Sequence, residues 1–221
     1  MGVGPELESV HTRAAAYLKK RYDKPGKVFV GIVSRLDRLV SGVLVLARTS
    51  KAASRLSEQF RTGQVEKLYT AWVEGQLASE RDAPVPSADP PTNSGSASGT
   101  TSDSATSWKE LCDWVAKDDT HHRMRIVSEQ ASGALLAHLR FQVIDIQPRR
   151  TELRVQLLTG RKHQIRLQLS EIGHPIVGDQ KYGASTRFPS GIALHCQQVT
   201  LTHPTLKESM SFVAPLPNTW R

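Results

Sequence analysis

Apolar residues recur along the chain at two spacings, and the switches between them predict the elements. In residues 6–22, LESVHTRAAAYLKKRYD, Ala14, Ala15, Tyr17 and Leu18 form one stripe with the lysines outside it, which predicts a helix ended by Pro25-Gly26. KVFVGIVS (27–34) places Val28, Val30 and Ile32 two apart and reads as a strand. GVLVLART (42–49) is apolar enough to read as a second strand buried on both faces. SKAASRLSEQFRTG (50–63) returns to helical spacing with Ala52, Ala53, Leu56 and Phe60; Ser50 is the N-cap candidate and Gly63 the stop. KLYTAWVEG (67–75) alternates Tyr69, Ala71 and Val73 against Leu68, Thr70 and Trp72, a strand with Tyr69 on one face.

Residues 79–107 break the pattern. They are rich in Ser, Pro, Ala, Thr and Asp and nearly free of large apolar side chains, so they cannot bury enough surface to offset the entropy of ordering. The expectation is a disordered insertion within a single domain spanning 1–221. Order resumes at WKELCDWVAKD. MRIVSE (124–129) reads as a short strand, and 134–148 and 151–160 as a strand pair turning at Pro148. RKHQIRLQLSEIG (161–173) has Ile165, Leu169 and Ile172 on one face and Gly173 as a cap, so it reads as a helix. HPIVGDQKYG (174–183) reads as loop, and 193–204 and 208–215 as two closing strands.

Composition narrows the classes. The 221 residues suit one domain with a sizeable core. Lys and Arg outnumber Asp and Glu by 29 to 21, and the resulting net charge of +8 suits a polyanionic partner, because each neutralised phosphate releases counterions. Two distant cysteines, Cys112 and Cys196, form neither a disulfide framework nor a CxxC zinc pattern. MGVGPELESV lacks the basic and apolar regions of a secretory signal, and the longest strongly apolar run, VLVLA, is far too short for a bilayer. A cytoplasmic protein with no membrane association is the expectation.

Two places carry candidate chemistry. In SRLDRLVSG (34–42) the carboxylate of Asp37 sits between Arg35 and Arg38 on a loop held by two strands. In TGRKHQIR, Arg161 and Lys162 stand where a helix dipole disfavours cations, an arrangement that makes sense if an anion binds there. Arg166 lies between the apolar positions Ile165 and Leu169, so it is read as partly buried. A buried arginine needs a carboxylate, and Asp37 is the candidate. His121-His122 lacks a ligand pattern for a metal, no GxSxG elbow marks a serine nucleophile, and no P-loop is present.

Four ordered motifs, RLDR..SG (35–42), KLYTAWVEG (67–75), TGRKHQIRLQLSEIGHPIVGDQKYG (159–183) and ALHCQQVTLTHP (193–204), together resemble the RluA-type RNA pseudouridine synthases. The resemblance implies an α+β fold: a mixed, largely antiparallel sheet flanked by helices, with a central RNA-binding cleft. It implies isomerisation of specific uridines in structured ribosomal or transfer RNA, without cofactor or metal. On the matching positions Asp37 would be the essential carboxylate, Tyr69 would pack on the target base and assist removal of the C5 proton, and Arg166 would pair with Asp37. Arg35, Arg38, Lys67, Arg161, Lys162, His163 and Gln164 would contact RNA, with Arg35 filling the space of a flipped base. A monomer with no obligate protein partner is expected.

The chain departs from the family pattern in two respects. Ser34 stands where the family usually has His, and Leu39-Val40 replace the usual pair after the second arginine. No Asn-Lys-Pro-x-Gly stretch precedes residue 27, so the N-terminal part reads as truncated. The alternative reading is therefore a non-catalytic RNA-binding relative that lost turnover with that segment. A glycoside hydrolase is the poorest fit, because that chemistry generally wants two carboxylates flanking the bond.

Overall fold

A computed structural model of the chain describes residues 9–77 and 107–220. The expected insertion at 79–107 therefore lies outside the described residues apart from Ser107, as do residues 6–8 of the first expected helix. In chain order the elements are α1 (Val10–Arg21), β1 (Gly31–Ile32), β2 (Ser41–Gly42), β3 (Leu46–Ala47), α2 (Ser50–Arg61), β4 (Glu66–Glu74), β5 (Lys109–Asp118), β6 (Arg123–Val127), β7 (Leu135–Gln147), β8 (Arg150–Leu157), α3 (Gln164–Glu171), β9 (Leu194–Thr202) and β10 (Ser209–Val213). Short 3-10 turns occupy Gln180–Tyr182 and Asn218–Trp220.

Seven strands run in the order β10-β9-β4-β8-β7-β5-β6, with every neighbouring pair antiparallel. The eighth, β2, joins β9 in parallel, while β1 and β3 pair separately. This is the mixed, largely antiparallel α+β architecture expected. At the centre, β4 buries Thr70, Ala71, Trp72 and Val73 on both faces. Pro148 turns β7 back into β8, with Gln147 opposite Arg150. Leu139, Leu153, Val155, Leu194 and Leu201 continue the main core across the sheet. A second cluster of Val115, Met124, Ala137, Leu167 and Tyr182 seats α3 on the β5–β7 side. Among the described residues no helix is long and apolar enough to cross a membrane.

Five expectations are corrected. The segment 27–34 contributes only Gly31–Ile32 to a strand, and 42–49 is not one strand but two short pieces in different sheets, with only Ala47 buried. The break follows from Gly42, whose φ of +117° lies outside the extended ladder. The first helix has a capping box at Ser9 and Thr12, yet it buries none of its side chains and Tyr17 is exposed. It is attached by polar contacts instead: His11 Nε2 lies 3.1 Å from the Val30 carbonyl, and Arg48 stacks over and donates to Tyr22. The cap of α2 is Thr49, one residue before the expected Ser50; its Oγ1 accepts from the Ala52 amide. The third helix starts at Gln164, so Arg161 and Lys162 precede it, because His163 takes a left-handed conformation with φ of 53°.

The loop from Val33 to Val40 is clamped by two close backbone approaches. A Cβ on Gly42 would fall 2.2 Å from the Cys196 carbonyl oxygen, and one on Gly191 would fall 2.3 Å from that of Leu39. Leu39 also accepts from the Ile192 amide, and Val43 donates to Cys196. Gly42→Ala therefore combines a backbone clash with a disallowed φ. It is expected to destabilise the fold by about 3 kcal/mol or more in denaturant unfolding; a change within the error of the measurement would contradict the clamp.

Candidate functional site

The expected pairing of Arg166 with Asp37 is present, but Arg166 does more than the sequence reading proposed. Its side chain is 5% exposed and its guanidinium forks onto Asp179: Nε donates to Oδ2 at 2.6 Å and Nη2 to Oδ1 at 2.8 Å. Nη1 remains for Asp37, donating to Oδ2 at 3.0 Å. Asp179 is 1% exposed, whereas the Asp37 side chain is 30% exposed. One carboxylate thus anchors the arginine and the other is presented to solvent. Burial alone would weaken the charge of Arg166, but the hydrogen bonds and charges of Asp179 and Asp37 prevail and its pKa is raised.

Each partner arrives from a different segment. Arg166 comes from α3, whose residues Gln164 to Leu169 are all buried. Asp179 opens the 3-10 turn, where its carbonyl accepts from the Tyr182 and Ala184 amides. Asp37 sits in a turn closed by Val40 donating to its carbonyl at 2.9 Å. Ser34, in the place of the expected histidine, ties that loop to the Val45 backbone, donating to its carbonyl and accepting from its amide, both at 3.3 Å.

His163 lies beside the pair, with Nε2 3.7 Å from Asp37 Oδ2 and Nδ1 2.9 Å from Tyr182 Oη. Burial lowers its pKa; Asp37 opposes that shift, and Arg166, Lys162 and Lys181 add to it. Tyr69 is buried on β4 opposite Val155 and Cys196. Its phenol is pushed well above the ordinary range by burial, then by Cys196 and by the Asp37 charge, so it stays protonated at neutral pH. Lys67, two residues before it, has its pKa lowered by burial, with Cys196 acting in the opposite direction.

The remaining expected contacts divide into two groups. Arg35, Arg38 and Lys162 are exposed and have no hydrogen-bond or ion-pair partner among the described residues. Arg161 Nε instead donates to the Leu136 carbonyl, and Gln164 is buried, its Oε1 accepting from Thr159 Oγ1 and from the Arg161 amide. Gln164 thereby shapes the turn from β8 into α3.

Asp179 and Tyr182 escaped the sequence reading of single residues, although both lie in the stretch HPIVGDQKYG. The available signal was stoichiometric. A guanidinium has five N–H donors, and one carboxylate held end-on cannot satisfy them in a buried site. Asp179 is also the second carboxylate that a glycosidase reading lacked, but both its oxygens are engaged by Arg166. Among the described residues no group of three or more His, Cys, Asp or Glu could hold a metal ion.

Comparison with known proteins follows the same line. The family model described as RNA pseudouridylate synthase matches residues 3–171. The chain is 32% identical over 191 residues to the uncharacterized RNA pseudouridine synthase YjbO of Bacillus subtilis, covering 85% of this chain and 56% of that protein. It is 28% identical over 201 residues to the ribosomal large subunit pseudouridine synthase C of Vibrio vulnificus (87% and 54%), and 30% identical over 186 residues to the dual-specificity RNA pseudouridine synthase RluA of Yersinia pestis (81% and 75%). The chain thus spans about half the length of the first curated relatives it matches. In fold it is similar to the human RNA pseudouridylate synthase domain containing 1, with a TM-score of 0.65, 23% identity, and coverage of 90% of this chain and 72% of that one.

Removing Asp179 leaves Arg166 buried with only one monodentate partner. Asp179→Ala is expected to cost about 3–5 kcal/mol in denaturant unfolding, the range for breaking a buried pair from one side. Asp37→Ala, at the exposed end, is expected to cost less than half as much. Equal effects of the two would contradict the division into anchor and presented carboxylate.

Proposed function

The chain belongs to the RluA-type RNA pseudouridylate synthase family, and on that premise we propose that it isomerises specific uridines of structured ribosomal or transfer RNA to pseudouridine, with Asp37 as the essential carboxylate. The observation that carries this reading is the asymmetry of Asp37. Its Oδ2 is held by Arg166, while Oδ1 has no hydrogen-bond partner among the described residues and the side chain is open to solvent. An oriented carboxylate with one uncommitted oxygen is what attack on a nucleoside requires.

In the proposed reaction Oδ1 attacks the target nucleoside, at its sugar or at its base. The N1–C1′ bond breaks with its electron pair passing to the uracil, the uracil turns, C5 bonds to C1′ as Asp37 leaves as a carboxylate, and the C5 proton is lost to water while N1 takes one up, so substrate and product are isomers. Because burial keeps the Tyr69 phenol protonated, Tyr69 serves as a packing surface and hydrogen-bond donor for the base; a phenolate as acceptor of the C5 proton is disfavoured. The base must first leave its stack, at about a few kcal/mol. Arg35 is exposed and uncommitted beside the Asp37 loop, so its planar guanidinium can stack in the vacated space. Arg38 and Lys162 are equally free to meet phosphates.

The test is release of tritium from RNA labelled at uridine C5. The expected result is release by the unaltered protein and none above background from Asp37→Asn. RNA bound by a folded, unaltered protein without release would favour the non-catalytic binding relative instead.

A further inference from the structure

His163 stands next to Asp37 without a role in the steps above, and its hydrogen bonds determine which ring nitrogen carries the proton. Tyr182 Oη accepts from the Met124 backbone amide at 3.0 Å. The phenolic proton is therefore directed elsewhere, and its other contact is His163 Nδ1 at 2.9 Å. Burial raises the Tyr182 pKa, so the phenol keeps that proton to donate. Nδ1 is then an acceptor, and in the neutral ring the proton must sit on Nε2. Nε2 is the atom that faces Asp37 Oδ2, at 3.7 Å, the same oxygen that Arg166 holds.

We propose that His163 is a positioning residue for Asp37: as a neutral Nε2–H donor, its tautomer set by Tyr182 and the Met124 amide, it directs Oδ2 inward and leaves Oδ1 to react. At 3.7 Å the two atoms are within ion-pair range but not hydrogen-bonded, so the positioning role requires the partly exposed carboxylate to turn toward the ring when substrate is bound. The left-handed backbone at His163 supports a specific placement, since it sets the ring between the Asp37 loop and the 3-10 turn at a conformation few residues adopt. A charged ring would be worse on two grounds. A proton on Nδ1 would confront the Tyr182 hydroxyl proton, and the buried phenol would lose its acceptor. The charge would also sit among Arg166 and Lys162 from its own segment and Lys181 from the 3-10 turn, with Asp37 acting in its favour. Tyr182 also lies under the Arg166 guanidinium, 5.1 Å from ring centroid to Cζ, so one side chain orders both donors to Oδ2.

The inference rests on the isomerase reading for its purpose, but its geometry is testable without turnover. In ¹⁵N-histidine spectra of the full chain, His163 is expected to show a protonated Nε2 and a bare Nδ1, and to stay neutral below the range where histidine ordinarily titrates. Asp37→Asn is expected to lower its titration further, because the opposing charge is lost. Tyr182→Phe is expected to abolish the tautomer preference. A proton on Nδ1 in the unaltered protein, or the same tautomer in Tyr182→Phe, would overturn the proposal.

Activity supplies the second arm. Replacing His163 by Ala is expected to lower the single-turnover rate at saturating RNA about tenfold to a hundredfold, the range for losing one hydrogen bond to a charged group. His163→Gln, which restores a donor near Nε2, is expected to recover part of that loss and to be insensitive to acid where the unaltered protein titrates. Equal rates for Ala and Gln would overturn the positioning role. No tritium release from the unaltered protein would end the role in isomerisation and the isomerase reading together, while an Nε2–H tautomer lost in Tyr182→Phe would still distinguish a correct geometry from a wrong one.

Discussion

A guanidinium buried in the first turn of a short helix is the constraint on which the site depends. Taking Arg166 out of water costs several kcal/mol unless anions and hydrogen bonds meet it with good geometry. Asp179 meets it with both oxygens, and the remaining N–H reaches Asp37. The arginine therefore transmits the rigidity of a buried ion pair to a carboxylate on a loop. A pair of this kind contributes little net stability, but it defines where the exposed end stands. The eight-stranded sheet, the seating of α3 by Leu167, and the glycine contacts on either side of the loop all hold that geometry.

Charge is sorted by depth. Arg166, which holds the Asp37 carboxylate, is committed within the protein, while Lys67 and Tyr69 on β4 are shifted by burial toward their neutral forms. Arg35, Arg38 and Lys162 are exposed and have no hydrogen-bond or ion-pair partner among the described residues. Arg166 fixes where the Asp37 carboxylate meets solvent, and under the proposed function these exposed cations would take the place of counterions on an RNA backbone.

Much of this was legible in the residues, and what was not has physical causes. Long periodic segments such as 135–147 and 150–157 became strands because alternation and pairing agree. The apolar residues of 27–49 predict two long strands, but they pack an irregular loop against the core rather than forming a ladder. The helix α3 begins three residues later than the apolar spacing predicts, because spacing does not register the left-handed turn at His163, and a histidine, though enriched in that conformation, signals it only weakly. Arg166 and Asp37 were linked from burial and charge alone. Asp179 was not, because its role appears only once the chain brings the 3-10 turn beneath α3, and Tyr182 likewise acquires a role only beside His163 and Met124.

The most direct test of the account is the Arg166→Lys variant, followed by tritium release with folding monitored in parallel. An ammonium is a point charge and cannot fork onto Asp179 while reaching Asp37. The account predicts a protein that remains folded and binds RNA but releases tritium at least about a hundredfold more slowly, since a misplaced reacting group costs on that order. A folded lysine variant that turns over at the unaltered rate would contradict it, because charge alone, rather than the shared planar geometry of Arg166, would then suffice to hold Asp37.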